Sequence, residues 1–393
     1  MPSTEGYISI SPLLKTLSTS PRNDLSSEIS AAISLILHNR VSPIQTALLL
    51  WSLHTTRLDH SPSVLNSCAA SLLSACEHPD PGALSTTLLA KRPSLSRGGY
   101  KGGLVDIVGT GGDGHNTFNI STTSSICASA KLLVGKHGNN SSTSLSGSAD
   151  LLARVVPRAP RLEAVRAETL ARVYEGCNYA FLYAREWHVG LQHLAATRRE
   201  VPVRTIFNLL GPLANPVQEY VEARVVGVAR EEVGGDFAEA VRLSGARKAL
   251  VVCGEEGLDE ISCAGGTDCW FIDDGNGIER FNLHPRDFGL DTFPLTEVEG
   301  GKGPDENAEL LMRILKGELD PNDPVLQFVL LNTAALLTIS GLPEDDNTCK
   351  IKERGPGGLR WKEGARLARE CIDSGEALRQ FEKYIEVTNG LDI

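Results

Sequence analysis

The stretch VDIVGTGGDGHNTFNIST, residues 105–122, decides how this chain is read. A short apolar run, Leu104 to Val108, leads into Gly109, Gly111, Gly112 and Gly114, and a helix opens near Ser121. Glycines after a strand let backbone N–H groups approach an anion, and the helix N-terminus beyond adds partial positive charge. Gly109, Gly111 and Gly114 formally satisfy the G-x-G-x-x-G pattern of dinucleotide folds. The context does not fit, because the helix starts about seven residues after the third glycine and the acid expected roughly 20 residues on is missing; none follows until Asp150. No Gly-Lys-Ser/Thr follows either, so this is not a Walker loop. The spacing alone leaves two readings, a phosphate-binding loop and a plain glycine turn.

Two further loops share the feature of following a short apolar run. KHGNNSSTSLSGSADLL, residues 136–152, comes after Leu132 to Val134 and offers the point charge of Lys136, with His137, beside a run of hydroxyls and amides. That set suits a phosphorylated, hydroxylated ligand, and α/β sheets bind ligands at the carboxyl ends of their strands. GEEGLDEIS, residues 254–262, follows Ala249 to Cys253 and sets the hard oxygen ligands Asp259 and Glu260 side by side. A Mg²⁺ bridging to substrate phosphates wants one or two carboxylates and several waters. In residues 185–216, His188 and His193 lie five apart, off the spacing of a helical metal pair, and read as packed histidines. Arg198, Arg199 and Arg204 are candidate carboxylate clamps.

Composition bounds the rest. The 393 residues carry 49 acidic against 38 basic side chains, a formal charge of −11, which disfavours a nucleic-acid binder. With 41% hydrophobic and 22% charged residues the chain reads as globular, in two or three units. Nine scattered cysteines without a C-x-x-C pair signal neither a disulfide framework nor a zinc site and point to a reducing, cytoplasmic home. The N-terminal MPSTEGYISISPLLK resembles neither a signal nor a transit peptide. The apolar segment Val325 to Leu342, interrupted by Gln327, Asn332, Thr333 and Thr338, reads as a buried helix, not a membrane span.

Ser26 to about Cys76 has helical periodicity, with Val41-Ser42-Pro43 as an N-cap signal. Residues 81–103, rich in Ser, Gly and Pro, read as a connection. Beyond it, apolar runs including Ala223 to Val228 and Cys269 to Ile272 alternate with helical stretches: Thr122 to Ala130, Leu162 to Tyr174, Asp236 to Leu243, Asn307 to Leu315 and Trp361 to Tyr384. The expected fold is therefore α/β: a helical domain over residues 1–80, a connection over 81–103, and an α/β domain over 104–393 with a mostly parallel central sheet.

Taken together, GTGGD at 109–113, NIST at 119–122, KHGN at 136–139, SGSAD at 146–150, RTIFNLLGPLANP at 204–216 and GLDE at 257–260 resemble the anthranilate phosphoribosyltransferase family, over about residues 25–385. The resemblance implies transfer of the phosphoribosyl group of 5-phosphoribosyl 1-diphosphate (PRPP) to the amine of anthranilate, with Mg²⁺. It also implies a homodimer joined through a helical domain that part of residues 158–203 completes. By motif, Gly109, Gly112, Asp113, Thr117, Asn119, Ile120, Ser121, Thr122, Lys136, Ser144 and Ser148 would hold PRPP. Gly109, His137, Asn139 and Arg198 would contact anthranilate, and Ser121, Asp259 and Glu260 would serve the metal; no residue is assigned as general base. Asn140, Arg185 and Val189-Gly190 depart from the family's usual residues. The alternatives are a pyrimidine nucleoside phosphorylase of similar architecture and a nucleic-acid-binding relative without catalysis.

Overall fold

The computed structural model describes residues 6–19, 24–141, 145–274 and 277–392. Four helices come first: α1 (Ser11–Ser18), α2 (Ser26–Leu37), α3 (Pro43–Thr56) and α4 (Pro62–Ser74). The N-cap signal works as read, since Ser42 Oγ accepts the Gln45 N–H at 3.3 Å and Pro43 sits in the first turn, where its missing N–H costs nothing. A fifth helix, α5 (Pro81–Leu95), occupies most of the stretch read as a connection. Asp80 caps it by accepting the Ala83 N–H at 2.6 Å, and Leu84 and Leu88 are buried. Capping and one apolar face outweigh the loop-like composition there.

Strands and helical stretches alternate as expected as far as the fifth strand, after which two more strands follow with no helix between them. In order they are β1 (Leu104–Gly109), α6 (Ile120–Ala128), β2 (Leu133–Gly138), α7 (Ser148–Leu152), α8 (Leu170–Gly176), β3 (Tyr179–Tyr183), α9 (Ala184–Trp187), α10 (Ala195–Glu200) and α11 (Ile206–Leu210). They continue with β4 (Val221–Gly227), α12 (Glu231–Leu243), β5 (Lys248–Gly254), β6 (Thr267–Asp273), β7 (Ile278–Leu283), α13 (Pro304–Leu315), α14 (Pro324–Ser340), α15 (Trp361–Asp373) and α16 (Glu376–Asn389). Two expected helices are divided. Leu162 to Tyr174 becomes a 3₁₀ turn and α8, and Trp361 to Tyr384 becomes α15 and α16, parted at Gly375 with φ +70°.

The sheet order is β3-β2-β1-β4-β5-β6-β7, parallel from β3 through β5 and antiparallel at β6 and β7. The chain moves from β1 outward to β2 and β3, then returns to the other side of β1 with β4. The crevice between β1 and β4 is therefore the topological switch point, where such sheets bind ligands. Helix α14 is the core: every residue from Val325 to Ser340 is buried, packed on α15, α6 and β4. Among the described residues no helix is long and apolar enough to cross a membrane. A second apolar cluster joins α2, α3 and α4 to Leu194, α11, α12 and one face of β4 and β5.

Glu222 of β4 fixes the entry to β1. Its carboxylate, 4% exposed, accepts the N–H groups of Lys101 at 2.8 Å and Gly103 at 2.9 Å and the Lys248 ammonium at 3.1 Å. Glu222→Ala strands two amides and a half-buried cation. Chemical denaturation should show a loss of about 3–5 kcal/mol, the usual result of removing one partner of a buried ion pair.

Candidate active site

The three loops singled out in the sequence leave the carboxyl ends of β1, β2 and β5, and the order β2-β1-β4-β5 gathers them at one edge. Their junction is Asp259. A Cβ on Gly109 would stand 2.2 Å from Asp259 Oδ2, and one on Gly227, its neighbour on β4, 1.5 Å from the Asp259 carbonyl. Only glycine at both strand ends lets this segment lie in the switch-point crevice. Asp259 Oδ2 accepts the Gly111 N–H at 2.6 Å, while Thr110 N–H bonds the Gly227 carbonyl at 2.9 Å.

Arg204 braces the same loop from behind. Its Nη2 donates to the Thr110 carbonyl at 3.2 Å, and its Nη1 lies 1.1 Å from where a Cβ on Gly112 would stand. Gly112 also has φ +75°, so a side chain there is excluded by both backbone and neighbour. The sequence reading of Arg204 as a carboxylate clamp thus finds it spent on the loop itself, near Asp259 and Asp113.

Burial and the nearby Asp113 carboxylate push Asp259 up to about 7; burial and both aspartates push Glu260 well above the usual carboxylate range. Glu260 Oε1 accepts the Ser121 N–H at 3.3 Å, and Oε2 is buried with no hydrogen-bond partner. An orphaned carboxylate oxygen beside two others is a donor set that fits a divalent cation of the hard, oxygen-loving class. Among the described residues no group of three or more His, Cys, Asp or Glu could hold a metal by itself. Such an ion must take its remaining ligands from hydroxyls, water or a phosphorylated ligand.

The other predicted residues divide into those joined to this centre and those apart from it. Asn119 donates to the Ser146 carbonyl at 2.9 Å and accepts from Asn307 at 3.0 Å; Thr122 donates to Ser148 at 2.7 Å; Thr117 bridges to Glu299. Ile120 is buried as the first residue of α6. Lys136 differs from expectation, for it lies within β2, 1% exposed, its ammonium donating to the Ile107 carbonyl at 2.8 Å. It is a buried cation close enough to Asp106, Glu260 and Asp259 for their charge to oppose the desolvation that lowers its pKa. Ser144 lies outside the described residues.

His137 Nδ1 lies 3.1 Å from the Gly211 carbonyl, so it carries the proton and leaves Nε2 as a buried lone pair. Burial holds this imidazole down at about 4, and its ring lies 5.1 Å from that of His188, itself bonded to the Ala214 carbonyl at 2.9 Å. Asn139 is exposed at the end of β2. Asn140, a departure from the family pattern, bonds Asp150 and Tyr183. Arg198 packs its guanidinium over Phe207 at 5.7 Å and has no carboxylate within ion-pair distance among the described residues.

One positioning residue escaped the sequence reading. Asn332, inside apolar α14, accepts the Ile261 N–H at 3.1 Å and donates to its carbonyl at 3.2 Å, which anchors the chain directly after Asp259 and Glu260. An amide at mid-helix, flanked by the apolar Leu330, Leu331, Ala334 and Ala335, is the signal that could have found it.

The profile of the glycosyl transferase family, a/b domain, matches residues 101–378. The anthranilate phosphoribosyltransferase of Schizosaccharomyces pombe is 40% identical, the match covering 91% of each chain. That of Saccharomyces cerevisiae is 34% identical, over 91% of this chain and 88% of its own. The chain belongs to the anthranilate phosphoribosyltransferase family. The solved structure of the Saccharomyces cerevisiae enzyme in complex with PRPP and Mg superposes with a TM-score of 0.81 at 30% identity, covering 98% of this chain and 99% of that one. The Thermus thermophilus enzyme gives 0.74 at 32% identity, over 96% and 99%. The chain is thus an enzyme of the transferase class.

A pH prediction follows from the acidic pair. The folded pKa of Asp259 lies above its value of 3.8 in an unconstrained chain, so the native state holds the proton more tightly. Its contribution to stability is full below 3.8 and lost as pH rises through about 7. In metal-free buffer Asp259→Asn should melt at a higher temperature than the wild type at about pH 8, and the difference should close toward about pH 4. Equal melting temperatures across that range would contradict it.

Proposed function

We propose that this chain transfers the 5-phosphoribosyl group from PRPP to the amine of anthranilate, giving N-(5-phosphoribosyl)anthranilate and pyrophosphate, in L-tryptophan biosynthesis. The observation that carries the site assignment is the contact of Asp259 with Gly109, Gly111 and Gly227, which sets a carboxylate pair against a glycine loop at the switch point. Gly109, Gly112, Asp113, Thr117, Asn119 to Thr122 and Ser148 hold PRPP, with Ser144 as a motif-based member. Lys136 acts from beneath, as the cation that tempers the acidic pair.

Ser121, Asp259 and Glu260 serve Mg²⁺, which when bound supplies positive charge to the departing pyrophosphate. The chain's own part is to bind and orient. Loop N–H groups face the polyanionic leaving group, and Arg204 keeps their backbone in place. As C1 gains oxocarbenium character, an uncharged aryl amine attacks without a strong base. His137 fits that economy, for an imidazole held at about 4 with its free nitrogen buried is a wall of the anthranilate pocket and a poor base. Arg198, with no carboxylate within ion-pair distance among the described residues, pairs with the anthranilate carboxylate, and Asn139 and Gly109 complete that pocket.

The working form is a homodimer. On α3, Ile44, Leu48 and Trp51 are 75%, 50% and 47% exposed at helical spacing, an apolar stripe on the helical part. Nine free cysteines, eight of them buried, fit a reducing, cytoplasmic compartment.

Anthranilate fluorescence tests the reaction. Mixing the chain with anthranilate, PRPP and Mg²⁺ should quench it, and omitting the metal should abolish the loss. Arg198→Ala should raise the KM for anthranilate roughly 30-fold or more, in line with about 2–5 kcal/mol for a lost charge pair, and leave that for PRPP unchanged. No fluorescence loss in a folded sample would refute the assignment. For the dimer, light scattering should give twice the 42.2 kDa chain mass, and Trp51→Glu should return it to one. A monomeric wild type would refute the dimer alone.

A further inference from the structure

Strands β1 and β2 part before they end. Their parallel ladder stops at Val105 and Val134, although β1 stays paired with β4 as far as Gly109 and β2 with β3 as far as Gly138. The sheet therefore opens between the strand end that carries the glycine loop and the one that carries His137. Side chains fill the opening in place of the ladder. Asn215, from the loop before β4, donates through Nδ2 to the Gly135 carbonyl at 2.9 Å and to Asp106 Oδ2 at 2.8 Å, and its Oδ1 accepts the Val217 N–H at 3.1 Å. Asp106 Oδ1 accepts the His137 N–H at 3.3 Å, and the Lys136 ammonium crosses the gap to the Ile107 carbonyl at 2.8 Å.

This filling is costlier than the ladder it replaces. Asp106, Asn215, Lys136 and Arg224, the register partner of Asp106 on β4, are all buried. Burial pushes the Asp106 carboxyl up, and Lys136, the Asn215 amide and Arg224 oppose it. A continued ladder would pair backbone with backbone and bury no charge. What the side chains add is a single width. Both amide hydrogens and the oxygen of Asn215 are engaged, and both oxygens of Asp106 accept, so the strut fits one separation of the strands. The segment leading to Asn215 meets His137 as well, its Gly211 carbonyl 3.1 Å from Nδ1.

We propose that Asp106 and Asn215 are positioning residues for the transfer, a strut that sets the distance from the glycine loop after β1 to His137 and Asn139 at the end of β2. This rests on the transfer assignment above, in which the glycine loop holds PRPP while His137 and Asn139 border anthranilate. The width of the opening then aligns the amine with C1, and both residues act through the strands.

Asp106→Asn keeps the shape but, whichever way its amide turns, sets a donor against the His137 N–H or the Asn215 amide. In the anthranilate fluorescence assay kcat of the folded variant should fall roughly 100-fold, the cost of about 1 Å of misplacement, while both KM values stay within about threefold. The reciprocal exchange, Asp106→Asn with Asn215→Asp, again sets a donor against an acceptor and restores the net charge, and should recover roughly tenfold of that loss. If Asp106→Asn does not fold, Asn215→Ala, which leaves Asp106 facing its cations, should show the same split between kcat and KM. In crystals of either variant the end of β2 should stand displaced from that of β1 by roughly 1 Å. Wild-type kcat in a folded variant, with only the melting temperature lowered, would overturn the proposal, and so would a β2 end that has not moved. A wild-type chain without turnover would refute the transfer assignment instead, and the crystals would then decide the strut alone.

Discussion

Everything at the carboxyl edge of this sheet depends on the Asp259 segment lying flat on two glycines. Gly109 and Gly227 end adjacent parallel strands on either side of the point where the chain reverses its direction of travel across the sheet. Any side chain at either position would occupy space held by Asp259. With that segment in the crevice, its carboxylate reaches the Gly111 amide, Glu260 reaches Ser121, and the glycine loop is tied to the start of α6. Asn332 fixes the segment from the other side by taking both backbone groups of Ile261, and it does so from the most buried helix of the core. The site is therefore braced by elements far apart in sequence, which is how a loop rich in glycine keeps one conformation.

The same arrangement has an electrostatic cost. Three carboxylates, Asp113, Asp259 and Glu260, share a partly buried space with Arg204 on one side and Lys136 beneath. Neither cation is within hydrogen-bonding distance of the pair, since both donate to backbone carbonyls. The charge is thus left uncompensated where a divalent cation and a polyanion would compensate each other. A site that pushes two adjacent carboxylates, here Asp259 and Glu260, upward in one cleft is typically functional, because a merely structural pair would be relieved by pairing with a cation.

Much of this was legible in the sequence, for physical reasons. Glycines after an apolar run, hydroxyls after the next, and an acidic pair after a third are local signals at strand ends, and the parallel sheet collects strand ends. Helix α14 was legible because its apolar run is too polar at Gln327, Asn332 and Thr338 for a membrane and too apolar for a surface. What stayed hidden depends on pairing. That residue 259 would lie on residue 109 follows from the strand order, which no local pattern encodes. Arg204 read as a ligand clamp because only the packed structure reveals Thr110 and Gly112 as its targets. Lys136 read as a loop residue because β2 runs four residues past its apolar part. Helix α5 was missed because Pro81, Gly82 and Ser85 resemble a linker, although Asp80 caps it. Strands β3 and β7 went unread, the first a short apolar run beside a helix, the second an edge strand with weak burial.

The most direct test of this account is the Mg²⁺ dependence of turnover in the Asp259→Ala, Glu260→Ala double variant, followed beside its melting temperature. The account predicts a folded protein whose turnover is lost or whose half-saturating Mg²⁺ concentration rises at least about tenfold, the effect of removing two hard oxygen ligands from one cation. Unchanged Mg²⁺ dependence in a folded variant would place the metal elsewhere and leave the contact between Asp259 and the glycine loop a purely structural one.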